Sequence, residues 1–333
     1  MSRSGGVRGV KEIALFCGFL LCACGQQKEP PGQQPSASPG NATASNSSWW
    51  NGRSRATPTP VPEIWKFFDG SKALTHVQRL VDIGPRPSGS AEIEKTRAYL
   101  TEALQKSGWA VEAQKFTDQT PRGACAFVNL IARFGGNPST QRAIVCSHYD
   151  TKIFDTIRFV GASDGGSSTG ALLELARVLA LDPGLAQKVE LVFFDGEEAV
   201  SQFTATDGLY GSRFYARQLR ETKRNAQFQF GILWDMIGDK NLTVTLSPDS
   251  PPELARGLLS AAATLDARPY FSYLDRDIYD DHTPLTAAKI PTIDLIDFDY
   301  PSWHTADDTM EQLSAESLQT VGAVTLFYLR QRL

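Results

Sequence analysis

Short apolar segments alternate with stretches of helical periodicity along most of the chain. Apolar residues recur every three or four positions at residues 72–81, 90–107, 169–181, 209–219, 252–264 and 314–330, which predicts six helices. Short apolar runs bounded by glycine, proline or polar residues predict strands at 110–116, 127–134, 142–147, 189–194, 230–236 and 291–296. Since short buried strands that alternate with helices are typical of α/β proteins, we expect a mixed, mostly parallel, twisted central sheet with helices on both faces.

The amino terminus has the pattern of an export signal. Three basic residues, Arg3, Arg8 and Lys11, precede an apolar run at residues 13–23, which is shorter than the roughly 20 residues of a membrane span. The run ends in Leu21-Cys-Ala-Cys24-Gly, which resembles the bacterial lipobox, so Cys24 is the predicted site of cleavage and lipidation. An ordinary cleaved signal that ends near the same position is the alternative.

Three regions follow from the composition. Residues 1–24 are the predicted lipoprotein signal peptide, residues 25–62 are a predicted disordered linker rich in Gln, Pro and Ser, and residues 63–333 fit one catalytic domain. The chain has 33 basic and 37 acidic side chains, a net charge of −4, so it has no basic excess for binding a nucleic acid. We therefore expect an exported protein, lipid-anchored at the cell envelope on the periplasmic or outer face of the membrane, with no other membrane contact.

Two of the five cysteines, Cys125 and Cys146, fall inside the predicted domain. They lie on apolar segments joined by a glycine-containing turn, which predicts two neighbouring strands. In an exported protein, a disulfide between such strands and a pair of buried free thiols are both consistent with the sequence.

Acidic and histidine side chains follow nearly every predicted central strand. In chain order they are His148, Asp164, the pair Glu197-Glu198, Asp235 and His304. Taken singly, paired glutamates are usually solvated and an aspartate at a strand end is often a helix cap. However, the carboxyl ends of parallel strands meet at one edge of a sheet, so we expect all of these groups to lie close together.

Carboxylates and imidazoles without thiolates are ligands suited to a catalytic zinc ion. Adjacent side chains at a strand end point in different directions, so Glu197 and Glu198 can divide two roles between them. One would bind the metal while the other acts as general acid–base.

These motifs, in this order over residues 72–333, resemble those of the zinc aminopeptidase family that includes the glutaminyl cyclases. The resemblance implies a zinc-exopeptidase-like fold. By analogy with the two-zinc aminopeptidases, the five ligand positions are His148, Asp164, Glu198, Asp235 and His304, with Asp164 as the bridging ligand. The analogy also implies that Glu197 is the base and that Asp150 orients His148.

The flanking residues are more similar to the glutaminyl-peptide cyclotransferase (glutaminyl cyclase) branch in its bacterial exported form. The similar segments are Phe193-Phe-Asp-Gly-Glu-Glu-Ala199, the insertion at 200–209, Asp280-Asp-His282, Trp303-His-Thr-Ala-Asp-Asp308 and His148-Tyr-Asp-Thr-Lys152. Phe203 departs from that branch, where cyclases place Trp, and Gly165-Gly166 is somewhat peptidase-like.

The cyclase resemblance implies one zinc ion, held by Asp164, Glu198 and His304, with His148 as a candidate ligand of a second metal. It further implies a hydrogen-bonded cluster of three catalytic acids, Glu197, Asp235 and Asp280, in which crowded carboxylates share protons. Three aromatic residues are expected to wall the substrate pocket: Trp303, Phe203 and Tyr279.

The implied reaction converts the N-terminal glutamine of a peptide to pyroglutamate with release of ammonia. Its substrate is a peptide with a free amino terminus. The alternative is a two-zinc aminopeptidase that removes N-terminal residues, because all five of its ligand positions are present. A catalytically inactive binding domain is disfavoured, since no ligand position is substituted.

Overall fold

The computed structural model describes residues 63–135 and 139–333, so the predicted signal peptide, Cys24 and the predicted linker lie outside the described residues. Within the described ranges, eight strands form one sheet: β1 (Trp109–Thr120), β2 (Gly123–Phe134), β3 (Ala143–His148), β4 (Val189–Phe194), β5 (Phe230–Asp235), β6 (Val244–Leu246), β7 (Phe271–Tyr273) and β8 (Thr292–Ile296). The α-helices described are α1 (Gly70–Ile83), α2 (Ala91–Lys106), α3 (Gly166–Leu179), α4 (Pro183–Ala186), α5 (Tyr210–Glu221), α6 (Pro252–Thr264), α7 (His282–Ala287) and α8 (Ala315–Arg332). None of these helices combines the length and the apolar composition that a membrane span requires.

The sheet has the strand order β1-β2-β4-β3-β5-β8-β6-β7. Its four central strands, β4, β3, β5 and β8, are parallel to one another. The hairpin of β1 and β2 pairs antiparallel with β4, while β6 pairs antiparallel with β8 and parallel with β7. The predicted mixed, mostly parallel sheet is therefore confirmed, and the carboxyl ends of its central strands meet at one edge.

The apolar core is divided between the two faces of the sheet. Since successive strand residues point to opposite faces, Val145 and Ile232 pack in the larger cluster with α1, α2, α3, α6 and α8. Their neighbours Ile144 and Leu233 pack in a second cluster with α5 and α7. The prediction of helices on both faces is confirmed by these two clusters.

Helix α3 is buried along almost its entire length and joins the core to the edge where the central strands end. Gly170 allows its close contact with α1, because a Cβ at that position would lie 2.6 Å from Cγ2 of Val77. In the first turn of α3, the Thr169 hydroxyl donates a 2.8 Å hydrogen bond to the backbone oxygen of His148. These contacts hold the start of α3, and the loop before it, against the end of β3.

Four short elements were not predicted from the sequence, namely β6, β7, α4 and α7. The two strands have three residues each, and the two helices have four and six. Segments of this length contain too few positions to establish a periodicity of either 2 or 3.6 residues.

The interpretation of the two domain cysteines as neighbours was wrong. Strand β4 lies between β2, which carries Cys125, and β3, which carries Cys146. Cys146 is in register with Val192 of β4, which pairs with Ile131, six residues along β2 from Cys125. At about 3.4 Å per residue this separation is roughly 20 Å along the strand, far beyond the reach of a disulfide. Both thiols are free, Cys146 buried and Cys125 half-buried.

Candidate active site

Three of the predicted zinc ligands converge on one point beyond the carboxyl ends of the central strands. Asp164 lies in the loop before α3, Glu198 in the loop after β4, and His304 in the loop after β8. Nε2 of His304 lies 3.3 Å from Oδ2 of Asp164 and 3.2 Å from Oε1 of Glu198. Two ligands of a tetrahedral zinc ion, each about 2.0–2.1 Å from the metal, are about 3.3 Å apart. The donor atoms of this chain therefore have the spacing and the chemistry that zinc requires.

A second group of possible ligands shares Asp164 with the first. Nε2 of His148 lies 3.2 Å from Oδ1 of Asp164 and 3.2 Å from Oδ1 of Asp235. In each group, the ligand atoms all lie within 4.8 Å of one another. Together the two groups occupy the five positions of a two-metal site, so the spacing alone does not decide the number of ions.

Asp150 holds two parts of this site at once. Its carboxylate accepts hydrogen bonds from the backbone N–H groups of Glu197 and Glu198, at 3.1 and 3.2 Å. Its Oδ1 also lies 3.5 Å from Nδ1 of His148. Asp150 therefore lies behind His148, where the sequence placed it, and additionally fixes the loop that carries the paired glutamates.

Asp308 performs the same task for the loop of Asp164. It accepts hydrogen bonds from the backbone N–H groups of Ser163 and Asp164, at 2.7 and 3.1 Å, and one of 2.8 Å from the Tyr300 hydroxyl. Asp308 is fully buried. Its role cannot be predicted from the sequence, because Asp308 and Asp164 are 144 positions apart in the chain.

His304 has a strained backbone that its neighbours maintain. Its φ is +56°, in the left-handed region that residues other than glycine seldom adopt. The imidazole is stacked on Trp303 with ring centroids 4.5 Å apart. The rings of Phe154 and Phe159 make T-shaped contacts with it, with centroid distances of 5.6 and 5.8 Å. This aromatic surround fixes the direction of Nε2 toward Asp164 and Glu198. Such strain is concentrated at functional sites.

Two buried arginines, Arg86 and Arg97, stabilise the loops that carry the site residues. Neither has a role that could be predicted from the sequence. Arg86 donates to the backbone oxygens of Tyr149, Val160 and Gly161, at 2.8, 2.6 and 2.9 Å. Burial lowers the pKa of Arg86 to about 10, and the surrounding carboxylates, Asp150 first among them, oppose that shift. A buried cation therefore lies beneath the acidic site.

Arg97 forms the second support by pairing with the buried Asp195 that directly follows β4. Asp195 also accepts hydrogen bonds from the backbone N–H of Val128 and from the Ser88 hydroxyl, at 2.7 and 2.6 Å. Burial raises the pKa of Asp195 to about 6, although Arg97 acts against it. This network attaches α2 and β2 to the start of the glutamate loop.

A cavity of about 440 Å³ has Asp164, Glu198 and His304 in its lining. The three aromatic residues expected to wall it, Trp303, Phe203 and Tyr279, all line it, and the rings of Phe203 and Tyr279 meet edge to face at 5.9 Å. Its wall also contains residues that the sequence analysis did not select: Lys152, Met236, Ile278, Ile296 and Phe298. The cavity is thus mostly apolar, with the charged groups gathered at one end.

Glu197, Asp235 and Asp280 line this cavity together, but their hydrogen bonds differ from those expected. In the described ranges, no hydrogen bond joins Glu197 to either aspartate. Asp235 instead bonds with His148 at 3.2 Å, and Asp280 accepts a 2.5 Å bond from the backbone N–H of Asp281. Charge repulsion acts between Glu197 and Asp280 and between Asp280 and Asp235.

This crowding changes the acidity of the cavity groups. Burial, followed by repulsion from Glu198, raises the pKa of Glu197 well above its usual value. Burial, followed by repulsion from Asp235, does the same for Asp280. His304 is affected in two ways, because burial lowers its pKa while its hydrogen bonds with Asp164 and Glu198 raise it to about 9. A metal ion that binds His304 therefore displaces a proton.

The model of peptidase family M28 matches residues 129–329. A glutaminyl-peptide cyclotransferase-like protein of Bos taurus is 30% identical over 280 residues, which cover 74% of this chain and 72% of the relative. The solved structure of the glutaminyl cyclase of Porphyromonas gingivalis has a TM-score of 0.74 at 30% identity, covering 80% of this chain and 99% of that one. A Zn-dependent exopeptidase from Parabacteroides distasonis has a TM-score of 0.73 at 29% identity, covering 80% and 99%.

We expect Asp308→Ala to weaken metal binding although Asp308 is not a ligand. The substitution releases the two backbone N–H groups that position Asp164, and loss of such supporting contacts typically lowers metal affinity about 10- to 100-fold. Competition between the protein and a chelator of known zinc affinity measures the change. Asp307→Ala, at the exposed neighbouring position, is the matched control and should bind zinc like the unmodified protein. Equal affinity in both variants would contradict the role given to Asp308.

Proposed function

The chain belongs to the glutaminyl-peptide cyclotransferases of peptidase family M28, and we propose that it closes the N-terminal glutamine of a peptide to pyroglutamate at the cavity of Glu197. The reaction forms a bond between the peptide's α-amine and its side-chain amide carbon and breaks the bond to ammonia. Both reacting groups belong to one residue, so the enzyme mainly has to hold the reactive conformation and move protons. The observation that carries the proposal is a general acid–base candidate and a zinc-spaced ligand set in one apolar cavity.

The ligands proposed for zinc are Asp164, Glu198 and His304. When bound, a zinc ion supplies positive charge that polarises the amide carbonyl of the substrate and stabilises its developing oxyanion. We propose one ion per chain. In that case His148 serves as a partner of Asp235, and it becomes a ligand only in a protein that binds a second metal.

Glu197 is proposed as the general acid–base. It lies beside the metal ligand Glu198, and the hydrogen bond from its backbone N–H to Asp150 fixes its loop. Its raised pKa brings the carboxyl closer to the acidity of the groups with which it must exchange a proton. It accepts a proton from the α-amine and then gives one to the departing ammonia. Burial and repulsion from Glu198 keep this pKa high, and Asp280 adds a smaller repulsion.

The aromatic walls are proposed to bind the glutamine side chain and the residue that follows it. Trp303 packs on His304 and Phe298, while the rings of Phe203 and Tyr279 contact each other, and all three aromatic side chains are partly exposed to solvent. Phe203 offers an apolar face but no ring N–H, so it can contact the substrate only by packing.

A two-zinc aminopeptidase remains the second candidate, and one observation favours it. The group of His148, Asp164 and Asp235 meets the same spacing as the proposed zinc site. In that protein both ions would act on the first peptide bond, and the first residue would be released.

The experiment that separates the two functions is mass spectrometry of a peptide that begins with glutamine after incubation with the zinc-loaded protein. We expect loss of ammonia from an otherwise intact chain. A matched peptide that begins with leucine should remain unchanged. Release of the first residue from either peptide would instead establish the peptidase and refute the cyclase.

Glu197→Gln should separate proton transfer from metal binding. The substitution retains the shape of the side chain and removes its ability to accept a proton, so kcat should fall by roughly two to four orders of magnitude. Zinc content, measured by elemental analysis, should remain at about one ion per chain.

Glu198→Gln is the matched variant at the adjacent position. It replaces an anionic ligand by a neutral one, so zinc itself should be lost at chelator concentrations that the unmodified protein withstands. Loss of zinc from the Glu197 variant with retention in the Glu198 variant would reverse the two assignments. Full activity in both would place the chemistry elsewhere.

The amino-terminal segment is proposed to export the protein and to anchor it through a lipid on Cys24, with residues 25–62 as a tether. The support is the sequence pattern of a basic start, an apolar run and a lipobox-like end. Zinc chemistry at the cavity does not depend on this anchor.

Cys24→Ser should abolish lipidation and move the protein out of the membrane fraction, either as unprocessed precursor or as free protein. Cys22→Ser is the matched control, because Cys22 lies two residues earlier in the same motif. Unchanged membrane partitioning of the Cys24 variant would leave the lipid anchor without support.

A further inference from the structure

Tyr279 lies between two concave surfaces at the mouth of the cavity. One is the catalytic cavity itself, and the other is a groove of about 260 Å³ between α5 and α7. The wall of this groove on the α7 side is formed by Thr283, Pro284 and Ala287. Because Tyr279 lines both the cavity and the groove, a bound peptide that extends out of the cavity past this ring can enter the groove directly.

Three arginines of α5 form the opposite wall of the groove: Arg213, Arg217 and Arg220. They are spaced by four and three positions, so they share one face of the helix. Arg213 is held in place, since its guanidinium donates to the backbone oxygens of Ala205 and Thr206 at 2.6 and 3.1 Å. The Arg217 guanidinium lies over the ring of Phe214 at 4.9 Å. The groove therefore presents positive charge from largely ordered side chains.

Among the residues that the structure describes, no carboxylate lines this groove. Arg217 and Arg220 are exposed, and neither forms an ion pair with any residue in the described part of the chain. The chain as a whole has a net charge of −4, whereas the lining of this groove contains three arginines and no acidic residue. The groove is therefore locally positive on a protein that is negative overall. Such a surface attracts an anionic ligand.

A second groove at the mouth has a different character. It shares Ser201 and Gln202 with the cavity and is lined mainly by neutral hydroxyl and amide side chains. Its one carboxylate, Asp207, already accepts hydrogen bonds from three backbone N–H groups and the Tyr210 hydroxyl. This groove cannot select a peptide by charge.

We propose that the arginine groove binds acidic residues of the substrate that follow its N-terminal glutamine and second residue. The inference rests on the proposed function, because it assigns the downstream part of the same peptide substrate. The cavity then recognises the glutamine, and the groove favours peptides with aspartate or glutamate after the second position. Guanidinium groups suit this task, since they bind carboxylates with two parallel hydrogen bonds.

The test compares three substrates of the zinc-loaded protein: Gln-Phe-amide, Gln-Phe-Asp-Asp-Asp-amide and Gln-Phe-Asn-Asn-Asn-amide. At low salt we expect kcat/KM for the acidic peptide to exceed that for the neutral one roughly tenfold, the effect of two or three exposed ion pairs. At 1 M salt, where charges are screened within about 3 Å, the ratio should approach one. Gln-Phe-amide is too short to reach the groove and serves as the internal reference.

The double variant Arg217→Gln with Arg220→Gln should reduce the preference for the acidic peptide to roughly twofold, the effect of one exposed ion pair, because only Arg213 then remains in the groove. Arg213 is left in place because it also holds the loop of Ala205 and Thr206. The matched control is Arg79→Gln with Arg256→Gln, which removes the same charge from exposed positions on α1 and α6, on the other face of the sheet. The control should retain both the preference and its salt dependence.

Equal kcat/KM for the acidic and neutral peptides would overturn the inference while leaving the cyclase function intact. An undiminished preference in the Arg217 and Arg220 double variant would also overturn it, because the selecting charge would then lie elsewhere. Failure of Gln-Phe-amide itself to cyclise would refute the proposed function, and the inference with it. The short substrate thus distinguishes the two failures.

Discussion

The burial of many carboxylates at one edge of the sheet is the constraint around which this site is arranged. An anion removed from water costs several kcal/mol unless partners replace its hydration. Asp150 and Asp308 satisfy this requirement by accepting hydrogen bonds from backbone N–H groups of the loops that carry Glu197, Glu198 and Asp164. Arg86 and Arg97 add buried positive charge beneath them. In the proposed zinc site, a divalent cation between Asp164, Glu198 and His304 would complete the compensation, so metal binding and loop order would depend on the same groups.

The acids farther from that cation are compensated in a different way. Asp294 of β8 lies on the sheet face that packs against α5 and α7, beside Leu233. Its Oδ2 is 3.5 Å from Nδ1 of His282, whose pKa burial lowers to about 4. Burial, followed by repulsion from Asp280, raises the pKa of Asp294 well above its usual value. A raised pKa favours the neutral carboxyl, which costs less to bury than an anion.

The inserted segment at residues 200–209 connects the chemistry with the mouth of the cavity. Asp207 orders it by accepting hydrogen bonds from the backbone N–H groups of Val200, Ser201 and Gln202, at 2.8 to 3.0 Å. The backbone N–H of Leu209 donates to the carbonyl oxygen of Glu197 at 2.8 Å, so the proposed base and the insertion are held together. The insertion therefore places Phe203 at the mouth and also supplies the carbonyl groups that hold Arg213. One segment contributes to both the substrate cavity and the groove beside it.

The sequence by itself determined the α/β architecture, the positions of the central strands and the acidic and histidine side chains that gather at one edge of the sheet, because short apolar strands and the polar residues that end them are local patterns. It could not determine which strands are neighbours, and the insertion of β4 between β2 and β3 overturned the expected proximity of Cys125 and Cys146. Nor could it assign Asp308, Arg86 or the arginines of α5, whose roles arise from contacts between distant segments. Only the tertiary structure decided these points, since burial and hydrogen bonding across distant loops have no periodic signature in the chain.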